Sequence, residues 1–228
     1  MKKRRHSGDP AILFDLDGTL VDTVYEHVIA WSTTLASAGF TVPKWMLHRR
    51  IGMSGKSMLR QVLREQRQKS RRPNIEKLET EHDANFRRAS RNPVLLPGAI
   101  DLLRFLDRHK VRWAIATTGN LPQTKRMLQK LKLPEPAVVV TGDDVRKAKP
   151  SPDVFVLAAE KLGLAIADCI VVGDSVWDML AAGRKGALGV GLLSGGYSEA
   201  ELEGAGAFRV YADAGEMLLH IEDLGIDR

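Results

Sequence analysis

Phe14-Asp15-Leu16-Asp17-Gly18-Thr19-Leu20-Val21-Asp22 is the stretch on which the fold of this chain turns. It follows Ala11-Ile12-Leu13, and together with Phe14 these make a short apolar run of the kind that fills a strand buried on both faces. Two acids two residues apart, directly after such a strand, stand where open α/β sheets bind ligands: at the strand's carboxyl end. Gly18 permits the abrupt turn that leaves the strand. Carboxylates gathered at the rim of an apolar core are costly unless a cation or a proton resides among them. Taken alone, these residues fit an acidic turn around Asp17-Gly18 equally well.

Four more runs rich in apolar or β-branched residues read as buried strands: Val111–Thr117, Ala137–Thr141, Cys169–Val172 and Ala187–Leu192. Helical patterns lie between them, over Gly98–His109, Leu121–Leu131, Pro152–Leu162 (with Ser151 as its cap) and Val176–Arg184. Strands alternating with helices predict a doubly wound α/β domain with a parallel sheet covered on both faces. The alternation breaks once, between the first and second strands, where about 95 residues intervene, far more than one crossover helix needs. Helical spacing over Val24–Ala38, Lys56–Gln66 and Ile75–Arg88 makes this interval an inserted helical domain, residues 23–93, on a core of residues 1–22 and 94–228. Asn92-Pro93 and Leu96-Pro97-Gly98 are breaker pairs that suit its exit hinge.

The composition is that of a folded globular chain: 44% hydrophobic and 27% charged, which excludes a disordered protein. No apolar run approaches the ~18–20 residues of a membrane helix, and the basic start is not followed by a signal-peptide core, so neither membrane nor secretion is expected. A single cysteine, Cys169, excludes an internal disulfide, and the cytoplasm is the expected compartment. Much of the net charge of +6 sits at residues 2–5 and 69–72. No stacking aromatics lie between those charges, so nucleic acid is not an expected partner.

Val171-Val172-Gly173-Asp174-Ser175-Val176-Trp177-Asp178 repeats the opening theme: an acid just after a buried strand, with another four residues on. Hard oxygen ligands from Asp15 and Asp174 suit Mg²⁺, which keeps several waters and binds phosphate oxygens. Two strand-end carboxylate sites in one chain outweigh the reading of Asp174 as a helix N-terminal acid. Ala116-Thr117-Thr118-Gly119-Asn120 ends the second strand in hydroxyls ahead of a helix N-terminus, which favours anions. Lys149, between Ala148 and Pro150, follows the third strand on the same sheet edge, where its ammonium can meet developing negative charge.

In order and spacing these elements resemble the haloacid dehalogenase superfamily, in particular its phosphatases with a helical cap inserted after the first strand, of the phosphoglycolate phosphatase and β-phosphoglucomutase type. The resemblance runs from about residue 10 to 210 and implies strand order 3-2-1-4-5. It implies Asp15 as the nucleophile that forms an aspartyl-phosphate, and Asp17 as the acid and base. Asp15, the Asp17 carbonyl and Asp174 would hold Mg²⁺, with Asp178 supporting them. Thr117, Thr118 and Lys149 would hold the phosphoryl oxygens, and Gly18-Thr19 would belong to a flexible flap. The implied substrate is a small phosphorylated metabolite, of the phosphoglycolate or sugar-phosphate type.

Asp17 argues against the dehalogenase and phosphonate-hydrolase branches, which lack a carboxylic acid there. A mutase resembling β-phosphoglucomutase is the nearest rival; such enzymes carry a basic residue after the cap's glycine and an acid before the motif-four aspartate, where this chain has Gly55 and Gly173. A non-catalytic phosphate-binding module has no need of Asp17. Gly55-Lys56-Ser57 lacks the upstream glycine and strand of a nucleotide-binding loop. Within Arg49–Lys56, residues Arg49, Ser54 and Lys56 are the candidates for substrate selection, and Arg50 is a further candidate for a distal anion. Trp113 reads as core and Trp45 as packing. His27, His48, His82 and His109 show no metal spacing and read as surface or packing residues, and Ser194–Ser198 reads as a loop and helix start on the active edge.

Overall fold

The computed structural model describes residues 10–65, 73–132 and 138–227. The basic stretches at 2–5 and 69–72, and the outermost positions expected of two elements, Gln66 and Ala137, lie outside the described residues.

Strand β1 (Ala11–Phe14) is buried at every position, as its unbroken apolar sequence requires. After a tight turn and the two-residue β2 (Val21–Asp22), the chain enters α1 (Val24–Ser37), α2 (Lys44–His48), α3 (Gly55–Glu65) and α4 (Ile75–Ala89). It returns through β3 (Val94–Leu95), which pairs antiparallel with β2, so the two crossings between the helical insert and the core are joined by one short ladder. The chain then runs through α5 (Ala99–Arg108), β4 (Trp113–Ala116), α6 (Leu121–Leu131), β5 (Val138–Val140), α7 (Asp153–Lys161), β6 (Cys169–Gly173) and α8 (Val176–Gly183). It ends with β7 (Leu188–Leu192), α9 (Glu199–Gly204), β8 (Ala207–Tyr211) and α10 (Ala214–Leu219).

The main sheet has the order β5-β4-β1-β6-β7-β8, with every pairing parallel. Its first five strands follow the implied 3-2-1-4-5 order. β8 adds a sixth that the sequence did not announce: at this edge Phe208 and Arg209 are exposed, so the strand lacks the apolar run of its neighbours. Also unannounced were α2 and α10, of 5 and 6 residues and too short for a helical period to emerge, whereas α9 begins at the helix start read at Ser194–Ser198.

Because side chains alternate along a strand, β1 feeds two cores. Ile12 and Phe14 pack with Leu102, Leu106 and Ile170 on one face, and Ala11 and Leu13 pack with Phe155, Ala158 and Ala182 on the other. The insert has a core of its own, built from Val28, Trp31, Leu35, Leu59 and Val62, which makes it a helical cap over an α/β core. Trp113 is core, whereas Trp45 is 65% exposed and packs into neither. None of the described helices is long and apolar enough to cross a membrane.

Candidate active site

The carboxyl edge of β1 sets Asp15 and Asp17 beside the corresponding ends of β4 and β6. Asp15 is buried and accepts a hydrogen bond from Lys149 Nζ at 2.5 Å. The same ammonium lies 2.8 Å from Asp178 Oδ1 and over the Phe155 ring, so one fully buried lysine serves two carboxylates. Burial disfavours the Lys149 ammonium, but the charges of Asp15 and Asp178 outweigh it and lift its pKa above the lysine range. Asp15 is pushed up to about 7, chiefly by burial, with Asp178 and Asp17 adding to the rise and Lys149 opposing it.

Asp174 follows β6 and accepts from the Thr19 hydroxyl at 3.0 Å. Burial, then the charges of Asp178 and Asp15, drive its carboxyl well above the usual range. Gly18, at φ +84°, and Gly195 back directly onto this carboxylate, and a Cβ at either would collide with it. Asp178 is held by the first turn of α8: its Oδ2 accepts from Ser175 Oγ at 2.5 Å and from Ser175 N at 3.1 Å, a capping box that leaves Oδ1 for Lys149.

Asp15, Asp174 and Asp178 each offer an oxygen within 4.8 Å of the others. Three buried carboxylates with one lysine leave an excess of negative charge. An all-oxygen donor set in that setting fits a hard divalent cation such as Mg²⁺. The raised pKa values of Asp15 and Asp174 express the same imbalance from the proton's side.

Asp17 is set differently. Its Oδ1 accepts from Thr23 Oγ1 at 2.5 Å and lies 3.5 Å from His27 Nε2, and Thr117 Oγ1 reaches its Oδ2 at 3.5 Å. Burial would raise its pKa, but the His27 hydrogen bond and charge, with Thr23, bring it below the ordinary carboxylate value. Thr117 also accepts from Gly119 N at 3.0 Å, which fixes the turn after β4. Thr118 donates to the Gly52 carbonyl of the cap at 3.2 Å.

The histidines expected to be surface or packing residues are partly at the site. His27 Nδ1 lies 3.2 Å from His82 Nε2, and His82 Nδ1 lies 3.4 Å from Asp83, whose other oxygen accepts from Asn120 Nδ2 at 2.8 Å. Asp17, His27, His82 and Asp83 therefore form one chain of polar contacts through the cap. His82 is buried against Trp31, with ring centroids 4.0 Å apart. No spacing reveals this set, because its members come from α1, α4 and the end of β1 and meet only in the fold. An Asn120…Gln123 capping box is the one local feature nearby, and it marks a helix start rather than a site.

A cleft of about 390 Å³ opens between cap and core, lined by Asp15, Asp17, Thr117 and Thr118 below and by Ser54, Lys56, Glu79 and Asp83 above. Of the cap candidates, Ser54 and Lys56 line it, although Ser54 also caps α3 through Ser57 N at 3.3 Å. Arg50 lines it too, but its guanidinium is clamped by both Glu65 oxygens at 2.7 and 2.6 Å. Arg49 is not among the cleft-lining residues. It pairs with Glu201 of α9 and lies over the Tyr197 ring, while its carbonyl accepts from Trp177 Nε1 and Tyr197 Oη, so it fastens the cap to the core. Gly55 opens α3 with no strand before it, which leaves Gly55-Lys56-Ser57 without the context of a nucleotide-binding loop.

Residues 10–186 match the family of haloacid dehalogenase-like hydrolases. The chain belongs to that family. It is 36% identical over 180 residues to hexitol phosphatase A of Escherichia coli, covering 75% of this chain and 78% of that protein. It is 29% identical over 191 residues to β-phosphoglucomutase of Bacillus subtilis, covering 81% and 84%. The crystal structure of a hydrolase from Pseudomonas syringae superposes with a TM-score of 0.89 at 44% identity, covering 94% of this chain and 99% of the other.

Proposed function

We propose that this enzyme is a phosphatase that hydrolyses a small phosphomonoester, of the phosphoglycolate or sugar-phosphate type, through an aspartyl-phosphate on Asp15. The observation that carries the reading is the buried pair of Asp15 and Lys149 beside the separately tuned Asp17. Two carboxyls two residues apart, one pushed up and the other down, are suited to different roles. The likeness to E. coli hexitol phosphatase A supports the same chemistry.

Asp15, Asp174 and the Asp17 carbonyl would hold Mg²⁺, with Asp178 keeping Lys149 in place. When bound, the ion supplies the positive charge that holds the carboxylates ionised and neutralises phosphoryl oxygens. Asp15 attacks phosphorus, and the ester oxygen leaves with a proton from Asp17. Arrival of a dianionic phosphate beside Asp17 raises its pKa and so supplies that protonated form. A water then gives its proton to Asp17 and attacks phosphorus, releasing Asp15 and inorganic phosphate. Thr117 and Lys149 hold the phosphoryl oxygens, and closure of the cap excludes stray water.

The test is Mg²⁺-dependent turnover of p-nitrophenyl phosphate, with Asp15→Asn expected to abolish it; silence over a broad panel of phosphate esters sinks the proposal. The similarity to B. subtilis β-phosphoglucomutase keeps phosphoryl transfer between sugar positions as a second reading. Bisphosphate-dependent isomerisation of a hexose phosphate would establish that reading, and release of phosphate alone dismisses it.

A further inference from the structure

Glu79 is a cleft-lining side chain that the chemistry above does not use. The Lys56 backbone N–H at the start of α3 lowers its pKa against the rise that burial imposes. Glu79 rests against Gly55, where an added Cβ would stand 3.3 Å from Glu79 Oε1 and 2.8 Å from Trp31 Cζ2. The carboxylate and the indole are thus fixed side by side on the cap wall. One helical turn further along α4, Asp83 faces the same cleft, held by Asn120 and by Gln123 Nε2 at 2.6 Å.

Of the cations of this wall, Arg50 is already taken by Glu65. Burial raises the Glu79 carboxyl above its ordinary pKa, against the lowering effect of the Lys56 charge. On the core rim Asp143 and Arg146 add one charge of each sign. A tail carrying a carboxylate or a second phosphate would meet Glu79 and Asp83 with like charge. Hydroxyl groups would instead donate to fixed acceptors, with the Trp31 face beside them for the C–H side of a carbon chain.

We propose that Glu79 is a specificity-determining residue of this site, and that the alcohol it selects is a neutral polyol, making the substrate a sugar or alditol monophosphate rather than a carboxylate-bearing or bisphosphorylated ester. This inference rests on the phosphatase reading and narrows it. A site built to hydrogen-bond a substrate hydroxyl discriminates strongly against analogues lacking it.

The experiment measures kcat/KM with Mg²⁺ for sorbitol 6-phosphate, glucose 6-phosphate, phosphoglycolate, fructose 1,6-bisphosphate and p-nitrophenyl phosphate. In the wild type one of the two polyol monophosphates should exceed phosphoglycolate and the bisphosphate by about tenfold or more. Glu79→Gln should reduce that ratio by about tenfold, and Glu79→Lys should reverse it toward phosphoglycolate. Because each ratio is taken within one variant, partial loss of folded protein cancels. A wild type that hydrolyses p-nitrophenyl phosphate yet favours phosphoglycolate, or ratios unmoved by both substitutions, overturns the assignment of Glu79 alone. A wild type inert toward every ester overturns the phosphatase reading and this one together.

Discussion

Lys149 Nζ lies 2.5 Å from Asp15 Oδ1, with the two side chains 0% and 5% exposed. The ammonium is shared with Asp178 and is the only lysine or arginine charge ion-paired to these carboxylates among the described residues. Its removal leaves two buried acids facing each other. Lys149→Met should therefore cost about 3–5 kcal/mol of stability, the usual penalty for breaking a buried ion pair from one side. Urea unfolding in the presence of a chelator measures it, and a loss below about 1 kcal/mol would contradict the pairing.

His27 is the group that keeps the Asp17 carboxyl low against the effect of burial. Replacing it by glutamine removes the imidazole charge, so the pKa of Asp17 should rise. Titration of the Asp17 side-chain carbon resonance by NMR reads this directly. A midpoint equal to that of the wild type would show that Thr23 suffices.

His82, buried between Trp31 and the His27 ring, has its pKa lowered by that burial from 6.5 to about 4. Between these values the unfolded chain binds a proton that the folded chain does not, so stability rises with pH across that window. Acidification from pH 6.5 toward 4 should accordingly weaken the wild type more than His82→Phe. Denaturant midpoints of both proteins at pH 4.5 and 7 provide the comparison, and parallel losses would refute it.

At Gly173 an added Cβ would collide with the carboxyl of Asp178, which cannot retreat because Ser175 and Lys149 hold both its oxygens. Gly173→Ala should cost about 1–3 kcal/mol, as overpacking of a close-fitted interior does. Activity should fall with it, since the shift passes through Asp178 to Lys149. Thermal unfolding and p-nitrophenyl phosphate turnover test the two together; a variant matching the wild type in both would show that Asp178 has room to move.

The parts of this protein that were legible in its sequence are those whose cause is local. Ala11–Phe14 and Cys169–Gly173 are apolar without interruption because strands inside a parallel sheet touch helices on both faces. An acid just past such a strand must lie on the sheet's carboxyl edge, which is why Asp15, Asp17 and Asp174 could be read as neighbours from segments far apart. The helix starts at Leu121 and Val176 were legible for an equally local reason, whereas Ser151, read as the cap of the helix after it, does not cap α7, which starts behind Pro152 with no side-chain cap.

Tertiary structure decided the rest, because it depends on which helix face meets which. Nothing in the spacing of His27, His82 and Asp83 couples them to Asp17; their rings stack because α1 and α4 pack against each other. Arg49 and Lys56 looked alike as basic residues of one cap loop, yet Arg49 turns to Glu201 and the core while Lys56 turns to the cleft. The edge strand β8 escaped notice because an edge needs burial on fewer sides and so carries a weaker apolar signature. The placement of the strand-end carboxylates was thus determined by the chain itself, through strand ends that any parallel sheet brings together. Their pKa values depend on the tertiary structure, where burial and neighbours from distant segments, Lys149 and Asp178 for Asp15 and His27 of the cap for Asp17, set each charge.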